Sequence, residues 1–375
     1  MSGTPELKLN PDLIAEEVKG KEKQLPPYHV ARSAHWHLIV LAAGIAIVVA
    51  FASVPFWGGT SMSRTLVTFF YLLALGQMWN LLAGFAGLIS VGQQAYIGVG
   101  AYGMWLLGDV LHIQPYLCVF LAGLLAVIIA VPAAPLLFRL RGGYFAIGTW
   151  VVAEVMRLIV ANVQSTGGGS GKTIISAATL PLYGTANRIN VTYWIAMVVG
   201  IGSILLVFFL LRSRLGLALT SIRDNDLAAQ SSGVNVFRSK LFVYVVAAYG
   251  CGVIGAVVAL SLLRIQPAAA FSISWTAYAL FIVVIGGLGT IEGPILGAII
   301  YFAMLQALSQ YGEIYMLLLG VLAVIVATVA PRGLWGFIDK RWGLHLFPVR
   351  RRLVLDEPPK ETSAEEPAPA VTEPA

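Results

Sequence analysis

Long apolar segments separated by short polar ones dominate the hydropathy pattern of the chain. About 20 mostly apolar residues suffice to cross the ~30 Å hydrocarbon core of a bilayer as a helix. We place candidate spans at roughly residues 37–55, 65–83, 88–107, 115–137, 144–163, 191–211, 241–263, 275–290, 292–310 and 313–330. The eighth and ninth spans are short and adjacent, so they are either two broken helices or one re-entrant pair.

The composition excludes most classes other than helical membrane proteins. Of the 375 residues, 58% are hydrophobic and 11% are charged, whereas about 25% are charged in an ordinary soluble domain. A disordered chain would show the opposite composition, and two cysteines are too few for a disulfide scaffold. A membrane barrel would show weak alternating segments of about ten residues. The sequence therefore predicts an all-α polytopic membrane protein with about ten transmembrane or re-entrant helices.

The basic residues predict how these helices are oriented. The chain holds 24 Lys and Arg against 18 Asp and Glu, a formal net charge of +6. Four polar segments, all on one side of the membrane if ten spans cross it, hold 19 of the 24: Lys8, Lys19, Lys21, Lys23, Arg32, Arg139, Arg141, Arg212, Arg214, Arg223, Arg238, Lys240, Arg332, Lys340, Arg341, Arg350, Arg351, Arg352 and Lys360. Because basic loops favour the cytoplasm, we expect both termini to be cytoplasmic. The positive charge then reflects orientation, and no nucleic-acid partner is expected.

The pattern divides the chain into three parts. Residues 1–36 form a polar N-terminal arm, predicted to be cytoplasmic and unlike a cleaved signal peptide. Residues 37–338 form the membrane domain, with a cytoplasmic loop over 212–240. Residues 339–375 form a cytoplasmic tail that is rich in Pro, Glu, Ala and Thr from about Asp356, a composition typical of disorder.

A glycine-rich segment at 165–173 resembles a phosphate-binding loop but departs from its pattern. Such a loop requires a glycine where this chain has Thr166, and it follows a strand rather than an apolar helical segment. The predicted orientation also places the segment outside the cell. We therefore interpret it as a flexible Gly/Ser loop, with contact to a substrate-delivery protein as the alternative.

Polar residues interrupt the glycine-rich segment around the predicted third span. Ser90, Gln93 and Gln94 lie there, followed by Tyr96. Inside a bilayer each polar group must find a partner or line a cavity. The two interpretations, helix packing and the wall of a translocation path, are both open at this stage.

Two opposite charges lie within the predicted fifth span. Glu154 and Arg157 are spaced i, i+3, so they share a helix face and can form an ion pair. Charges at membrane depth indicate function by default. A self-neutralising pair is also a good structural clamp between helices, and that alternative remains.

The long cytoplasmic segment at 212–235 has the apolar spacing of an amphipathic helix. The apolar face of the predicted helix consists of Leu215, Leu219, Ile222, Leu227 and Ala229, and Gly233 is placed to end the helix. Such a helix either lies on the membrane surface or docks on a cytoplasmic partner.

Several motifs make the chain resemble the M-type permease subunits of branched-chain amino-acid ABC importers, the LivM family. The matching segments are Asn80-Leu81-Leu82-Ala83-Gly84, Ser90-Val91-Gly92-Gln93-Gln94-Ala95-Tyr96, Gly100-Ala101-Tyr102, Leu140-Arg141-Gly142-Gly143-Tyr144-Phe145-Ala146-Ile147, the 212–235 loop, Ile285-Gly286-Gly287-Leu288-Gly289-Thr290-Ile291-Glu292-Gly293-Pro294 and Leu296-Gly297-Ala298. Together they extend over about residues 65–335. The N-terminal arm and the C-terminal tail lie outside the resemblance.

The resemblance implies an assembly in the bacterial cytoplasmic (inner) membrane. Its partners would be a second, H-type permease, two cytoplasmic ATPase subunits and a periplasmic or extracytoplasmic substrate-binding protein. ATP would bind to the partner subunits, and this chain would hold no cofactor, metal or catalytic residue. The 212–235 loop resembles the segment that couples to an ATPase. The residues that match this pattern are Arg223, Asp224, Asp226, Ala228, Ala229 and Gly233, whereas Gln230 stands where a glutamate is often found.

Alternative functions and an internal symmetry follow from the same pattern. Urea and short-chain amide importers resemble these permeases, so the substrate is open. A stand-alone ion-coupled carrier should show an unpaired midplane acid, but Glu154 has Arg157 nearby. An embedded enzyme should show clustered histidines, but the five histidines lie near ends or loops.

Ten spans also divide into two halves of five, which would be inverted repeats. The glycine-rich segments 84–102 and 286–301 occupy comparable places in them.

Overall fold

The computed structural model describes residues 28–31, 37–178, 185–308, 314–330, 333–342, 346–347 and 352–355. They belong to two units. The first contains an antiparallel pair of strands, β1 (Tyr28–Ala31) and β4 (Arg352–Leu355), with Tyr28 opposite Leu355. The second, from Trp36 to Phe347, contains the helices. Most of the predicted N-terminal arm, and the predicted disordered segment from Asp356, lie outside the described residues.

The helical unit confirms the prediction of an all-α polytopic membrane protein. Its α-helices of six residues or more within the described ranges are α1 (His37–Trp57), α2 (Gly59–Asn80), α3 (Gln94–Trp105), α4 (Pro115–Leu137), α5 (Gly143–Asn162), α6 (Thr185–Arg212), α7 (Arg214–Asp224), α8 (Asp226–Ser231), α9 (Val236–Leu262), α10 (Ser274–Gly286), α11 (Glu292–Leu308), α12 (Ile314–Val329) and α13 (Gly333–Trp342). Within the described residues, seven helical stretches are long and apolar enough to cross a membrane. The total of ten crossings stays a prediction, and the predicted domain boundary at 338 falls inside α13.

Two non-helical breaks interrupt the bundle at glycines. Helix α2 continues through a π-helical turn, Leu81–Phe85, and the chain then runs without helix over 86–93, here called the first break. The predicted third span therefore starts too early at 88, because Gly87 adopts a φ of +69° that ends the helical path. Residues 287–291 form the second break, so the eighth and ninth predicted spans are two separate helices, α10 and α11.

Helices α3 and α9 cross at glycines in the interior of the bundle. A Cβ atom on Gly100 would overlap the backbone carbonyl of Gly252, and one on Gly255 would overlap the carbonyl of Ile97. Small residues of this kind allow membrane helices to approach closely. In contrast, α5 leaves large apolar side chains such as Tyr144 and Ile147 exposed.

The two halves of the bundle share a packing scheme. Helix α3 packs on α4 as α10 packs on α11, and α1 contacts α2 as α6 contacts α9. Helix α3 also meets α5, as α10 meets α12. An inverted-repeat arrangement would produce these corresponding contacts, but the symmetry itself stays a prediction.

Basic segments gather at one end of the bundle. Phe138, just before Arg139 and Arg141, packs its ring against Phe237 near the start of α9. Helix α7, which contains Arg223, meets the first break and packs at the same end of α9 through Ile222 and Val236. Gly333 packs against Gly287 of the second break. This clustering agrees with the predicted common side, and its assignment to the cytoplasm stays a prediction.

The opposite end is built around the glycine-rich loop. Asp109 accepts hydrogen bonds from the backbone nitrogens of Ile175 and Ser176 at 2.9 and 2.8 Å. Strand β2 (Lys172–Thr173) pairs antiparallel with β3 (Arg264–Ile265). The expectation of a flexible loop over 165–173 is therefore wrong for this segment, because strand pairing and two 3₁₀ turns order it.

Candidate coupling segment and the junction beneath it

The predicted coupling helix is two short helices in the structure, α7 and α8. We call residues 212–235, which contain both, the coupling segment. Asn225, between them, adopts an extended backbone with φ −160° and ψ +112°. Its side-chain oxygen accepts hydrogen bonds from the nitrogens of Leu227 and Ala228 at 2.9 and 3.1 Å, which caps α8. Ser213 caps α7 in the same way, through Leu215 N at 3.2 Å. The expectation of one continuous amphipathic helix is therefore wrong, because a strong capping residue begins a second helix.

The inner face of the coupling segment is apolar and buried. Ile222 and Ala229 form a small cluster with Val236 at the start of α9, and Leu219 is fully buried. Gly233 follows α8 with a φ of +82°, a left-handed conformation in which glycine carries no steric penalty. These contacts seat both helices on the bundle.

The outer face of the coupling segment carries the predicted acids and two large apolar side chains. Asp224 is 70% exposed and lies 3.2 Å from Arg223 Nη2, and Asp226 pairs with Lys240 Nζ at 2.6 Å. Leu217 and Leu227 are 50% and 70% exposed. Ala228 is exposed beside them. This face combines exposed apolar surface with charge, which is the character of a protein-contact surface. The prediction that Leu227 lies on the apolar face is wrong, because a new helix begins at Asp226 and does not continue the spacing of α7.

Arg223 connects the coupling segment to the first break. Its Nη1 donates to the carbonyl oxygen of Gly84, in the π turn of α2, at 3.0 Å. Its backbone and stem lie over Gly87, where an added Cβ would be 3.5 Å from Arg223 Cα. The sequence predicted Arg223 only as an ATPase-contact residue, and the structure adds this inward contact.

Two amides of α2 hold the second break. Asn80 Nδ2 donates to Thr290 O at 2.8 Å, and Asn80 Oδ1 accepts from Gly289 N at 2.9 Å. Gln77 Nε2 donates to Ile291 O at 2.9 Å. Both side chains are fully buried. We define the junction as Gln77, Asn80 and Gly84 of the extended α2 with the second break.

Sequence reasoning missed the junction. Asn80 appeared there only as part of a family motif, and Gln77 did not appear at all. The available signal was the presence of two amides spaced i, i+3 on one face of an otherwise apolar helix, which inside a membrane demands partners.

A C-terminal segment covers the other side of the second break. Gly333, at the start of α13, packs so closely on Gly287 that an added Cβ would overlap its backbone. Phe347 N donates to Glu292 Oε1 at 3.0 Å, at the first residue of α11. The second break is thus enclosed by α2 on one side and by the region after α12 on the other.

The four predicted path residues are buried and bonded within the chain. Ser90, Gln93, Gln94 and Tyr96 are each at most 2% exposed. Their contacts are Ser90 Oγ with Gly92 N at 3.2 Å, Gln93 Oε1 with Cys251 Sγ at 3.3 Å, Gln94 Oε1 with Thr276 Oγ1 at 2.5 Å, and Tyr96 Oη with Tyr244 Oη at 2.5 Å. The contacts of Gln93, Gln94 and Tyr96 join the start of α3 to α9 and α10, whereas the contact of Ser90 is local to the first break. Their place on a translocation path stays a prediction.

The charges of α5 lie in a different setting. Arg157 Nε donates to Glu154 Oε1 and Oε2 at 3.0 and 2.9 Å. The Arg157 side chain is 30% exposed and that of Glu154 is 43% exposed. The ion pair closes within one helix. Within the described residues, no cluster of three or more His, Cys, Asp and Glu is arranged to hold a metal ion.

Comparisons with known proteins match most of the chain. The family model for "Branched-chain amino acid transport system / permease component" matches residues 59–327. The LivM permease proteins of the high-affinity branched-chain amino acid transport systems of Escherichia coli K12 and Salmonella typhimurium LT2 are 29% and 28% identical, over 77% and 79% of this chain and 73% and 74% of theirs. The ribose import permease RbsC of Haemophilus influenzae is 30% identical over 31% of this chain and 38% of its own. No solved structure matches. The predicted resemblance to the LivM family is confirmed.

Proposed function

Since this chain belongs to the family of branched-chain amino acid transport system permease components, we propose that it forms one half of a translocation path for branched-chain amino acids. A second, H-type permease would supply the other half. Separate cytoplasmic ATPases would drive transport, and an extracytoplasmic binding protein would deliver the substrate. The chain is a multi-pass membrane protein, and we place it in the bacterial cytoplasmic membrane with both termini inside.

The family match carries this proposal. It extends from the first residue of α2 into α12, so it includes the junction, the coupling segment and both breaks. Two LivM relatives also align over about three quarters of their own length. The match to the ribose permease is much shorter, so the proposed substrate follows the LivM relatives.

The coupling segment is the proposed contact with an ATPase. Its inner face is seated on the bundle through Ile222 and Ala229, whereas Leu217, Asp224 and Leu227 point outward and are at least half exposed. ATP would bind on the partner subunits, and this chain would need no cofactor of its own. Its work would be the differential stabilisation of inward- and outward-open states, since a bound partner shifts a conformational equilibrium only by its differential affinity.

Two substitutions test the ATPase contact. Asp224→Lys reverses a charge on the outer face, and Gly233→Val forces a β-branched residue into a left-handed backbone that it strongly disfavours. Both should reduce ATPase co-purification and amino-acid uptake. Arg264→Glu is the matched control, because it reverses an exposed charge at the opposite end of the bundle and should leave ATPase co-purification unchanged. If Asp224→Lys and Gly233→Val both retain the ATPases and transport normally, the coupling assignment is wrong.

Substrate competition tests the transported molecule. The complete complex with its binding protein, reconstituted in vesicles, should accumulate labelled leucine, isoleucine and valine when ATP is supplied. Urea and short-chain amides should not compete. Preferred uptake of urea would reject branched-chain amino acids as the substrate, while the permease role would stand.

A further inference from the structure

We propose that Asn80 and Arg223 are positioning residues that transmit movement of the coupling segment to the second break. The inference rests on the proposed function, because it assumes that an ATPase acts on α7 and α8. It adds the route inside this chain. Arg223 contacts the end of α2, and Asn80 connects α2 to the break between α10 and α11.

The second break exposes polar backbone groups because it lies outside any helix. Residues outside a helix leave backbone groups unpaired, and in a membrane protein those groups must be satisfied by protein. Here Gly289 N, Thr290 O and Ile291 O all find partners on α2, through Asn80 and Gln77. Separating α2 from the break would strand all three groups at once. The two elements are therefore expected to move as one body.

The junction is tightly packed around Gly84. A Cβ on Gly84 would overlap Asn80 Oδ1 and would lie 2.7 Å from Gly289 N and 3.0 Å from its Cα. Close-packed elements of this kind transmit displacement instead of absorbing it. A push on the end of α2 therefore reaches the second break directly.

The coupling segment contacts this end of α2 through Arg223. Arg223 Nη1 donates to Gly84 O at 3.0 Å, and an added Cβ on Gly289 would lie 3.2 Å from the same Nη1. One guanidinium thus touches α2 and lies against the second break. Its other nitrogens, Nε and Nη2, lie 3.2 Å from the exposed carboxylate of Asp224. Arg223 therefore joins the outer face of the coupling segment to the interior junction.

A variant of Asn80 can distinguish an effect on transmission inside the chain from an effect on ATPase docking. Its side chain is fully buried, so it cannot form part of an ATPase-contact surface in this conformation. An effect of Asn80 on transport per ATP hydrolysed would therefore arise inside the membrane domain. Arg223 alone could not make this distinction, because 37% of its side chain is exposed.

The test measures uptake and ATP hydrolysis in the same vesicles, with the complete complex containing Asn80→Leu, Arg223→Leu or both. Asn80→Leu should retain ATPase subunits and ATP hydrolysis but lower the amino acid transported per ATP by about tenfold, within the roughly 5- to 150-fold range of ordinary site coupling. Arg223→Leu should lower this ratio by a similar factor in the complexes that keep their ATPase subunits. The double variant should be no worse than the poorer single variant, because both interrupt one route. Asn162→Leu and Arg141→Leu are the matched controls, since they remove an exposed asparagine and an exposed arginine outside the route.

Normal transport per ATP in assembled Asn80→Leu complexes would overturn the inference, as would independent, multiplying losses in the double variant. Should Asn80→Leu fail to assemble, Asn80→Ala takes its place, because it removes the same two hydrogen bonds from the same buried position without adding bulk. Its uptake per ATP must then fall while Asn162→Leu remains normal. Equal losses in Arg223→Leu and Arg141→Leu would overturn the inference, because they would point to a general effect of surface charge. Normal ATPase retention and transport in Asp224→Lys and Gly233→Val would reject the proposed ATPase contact, whereas normal transport per ATP in Asn80→Leu would reject only the route through α2, so the two failures are distinguishable.

Discussion

Helices α2 and α5 both carry polar side chains within apolar spans, but in opposite settings. On α2, Asn80 and Gln77 are fully buried and bind the backbone of a segment more than 200 residues away. On α5, Glu154 and Arg157 bind each other within one turn and remain partly exposed. The first group joins distant elements, whereas the second group, among the residues that the structure describes, forms its hydrogen bonds within its own helix.

The difference shows which polar groups the fold itself depends on. A buried amide that satisfies backbone groups cannot be removed without stranding them, and each stranded group costs roughly 1–3 kcal/mol. A partly exposed ion pair contributes little to folding because solvent screens it. Because the sequence predicts that this pair lies at membrane depth, we expect its exposed face to meet protein or a water-filled cavity.

Adding one methyl group to α2 and one to α5 should give the largest difference in stability between the two helices. Gly84→Ala places a Cβ onto Asn80 Oδ1 and close to Gly289 N, so it both overpacks the junction and separates its hydrogen bonds. We expect a loss of stability of about 4 kcal/mol, combining overpacking with the displaced hydrogen bonds. Gly143→Ala, at the first residue of α5, meets no atom within 4 Å and should be nearly neutral. Thermal unfolding of the detergent-purified chain measures both.

Equal melting temperatures for Gly84→Ala and Gly143→Ala would contradict the expected difference in stability. This result would show that the junction has room to relax, and that α2 is not locked to the second break.

The α5 ion pair could be predicted from local spacing in the sequence, whereas the junction could not. Glu154 and Arg157 are three residues apart, so helical geometry alone places them together. Asn80 and Thr290 are 210 residues apart, and no periodicity in the chain pairs a side chain with a distant backbone carbonyl. The apolar runs predicted most helices for the same local reason. The start of α3 at Gln94 was missed because it depends on the tertiary placement of the first break.

The coupling segment shows how a capping residue can override periodicity. Leu219 and Ile222 are buried as their spacing predicts. Asn225 then ends α7 and caps α8, so the later part of the segment takes a new direction. The signal was present in the sequence, since asparagine is among the strongest N-caps, but continuous apolar spacing concealed it.

Replacing Asn80 and replacing Gln77 should differ less in their effect on stability. Asn80→Leu strands Gly289 N and Thr290 O and should cost about 2 kcal/mol of stability. Gln77→Leu strands only Ile291 O, and it also removes a buried Gln77 Oε1 that has no hydrogen-bond partner among the described residues. Its net cost should be below about 1 kcal/mol. Thermal unfolding of both variants in one detergent gives the comparison, and a Gln77→Leu loss as large as that of Asn80→Leu would contradict it.

The α5 pair should have the smallest effect on the fold and a visible effect on transport. Glu154→Gln, Arg157→Gln and the double variant should all unfold close to the temperature of the unmodified chain, because the pair is local and partly exposed. In the complete complex, each single variant leaves one unpaired charge on the exposed face of α5, whereas the double variant leaves none. Unpaired charge at membrane depth is the costly state, so uptake should fall further in the single variants than in the double variant. If uptake instead falls furthest in the double variant, the charges themselves are needed at that face, and neutralising each other is not their role.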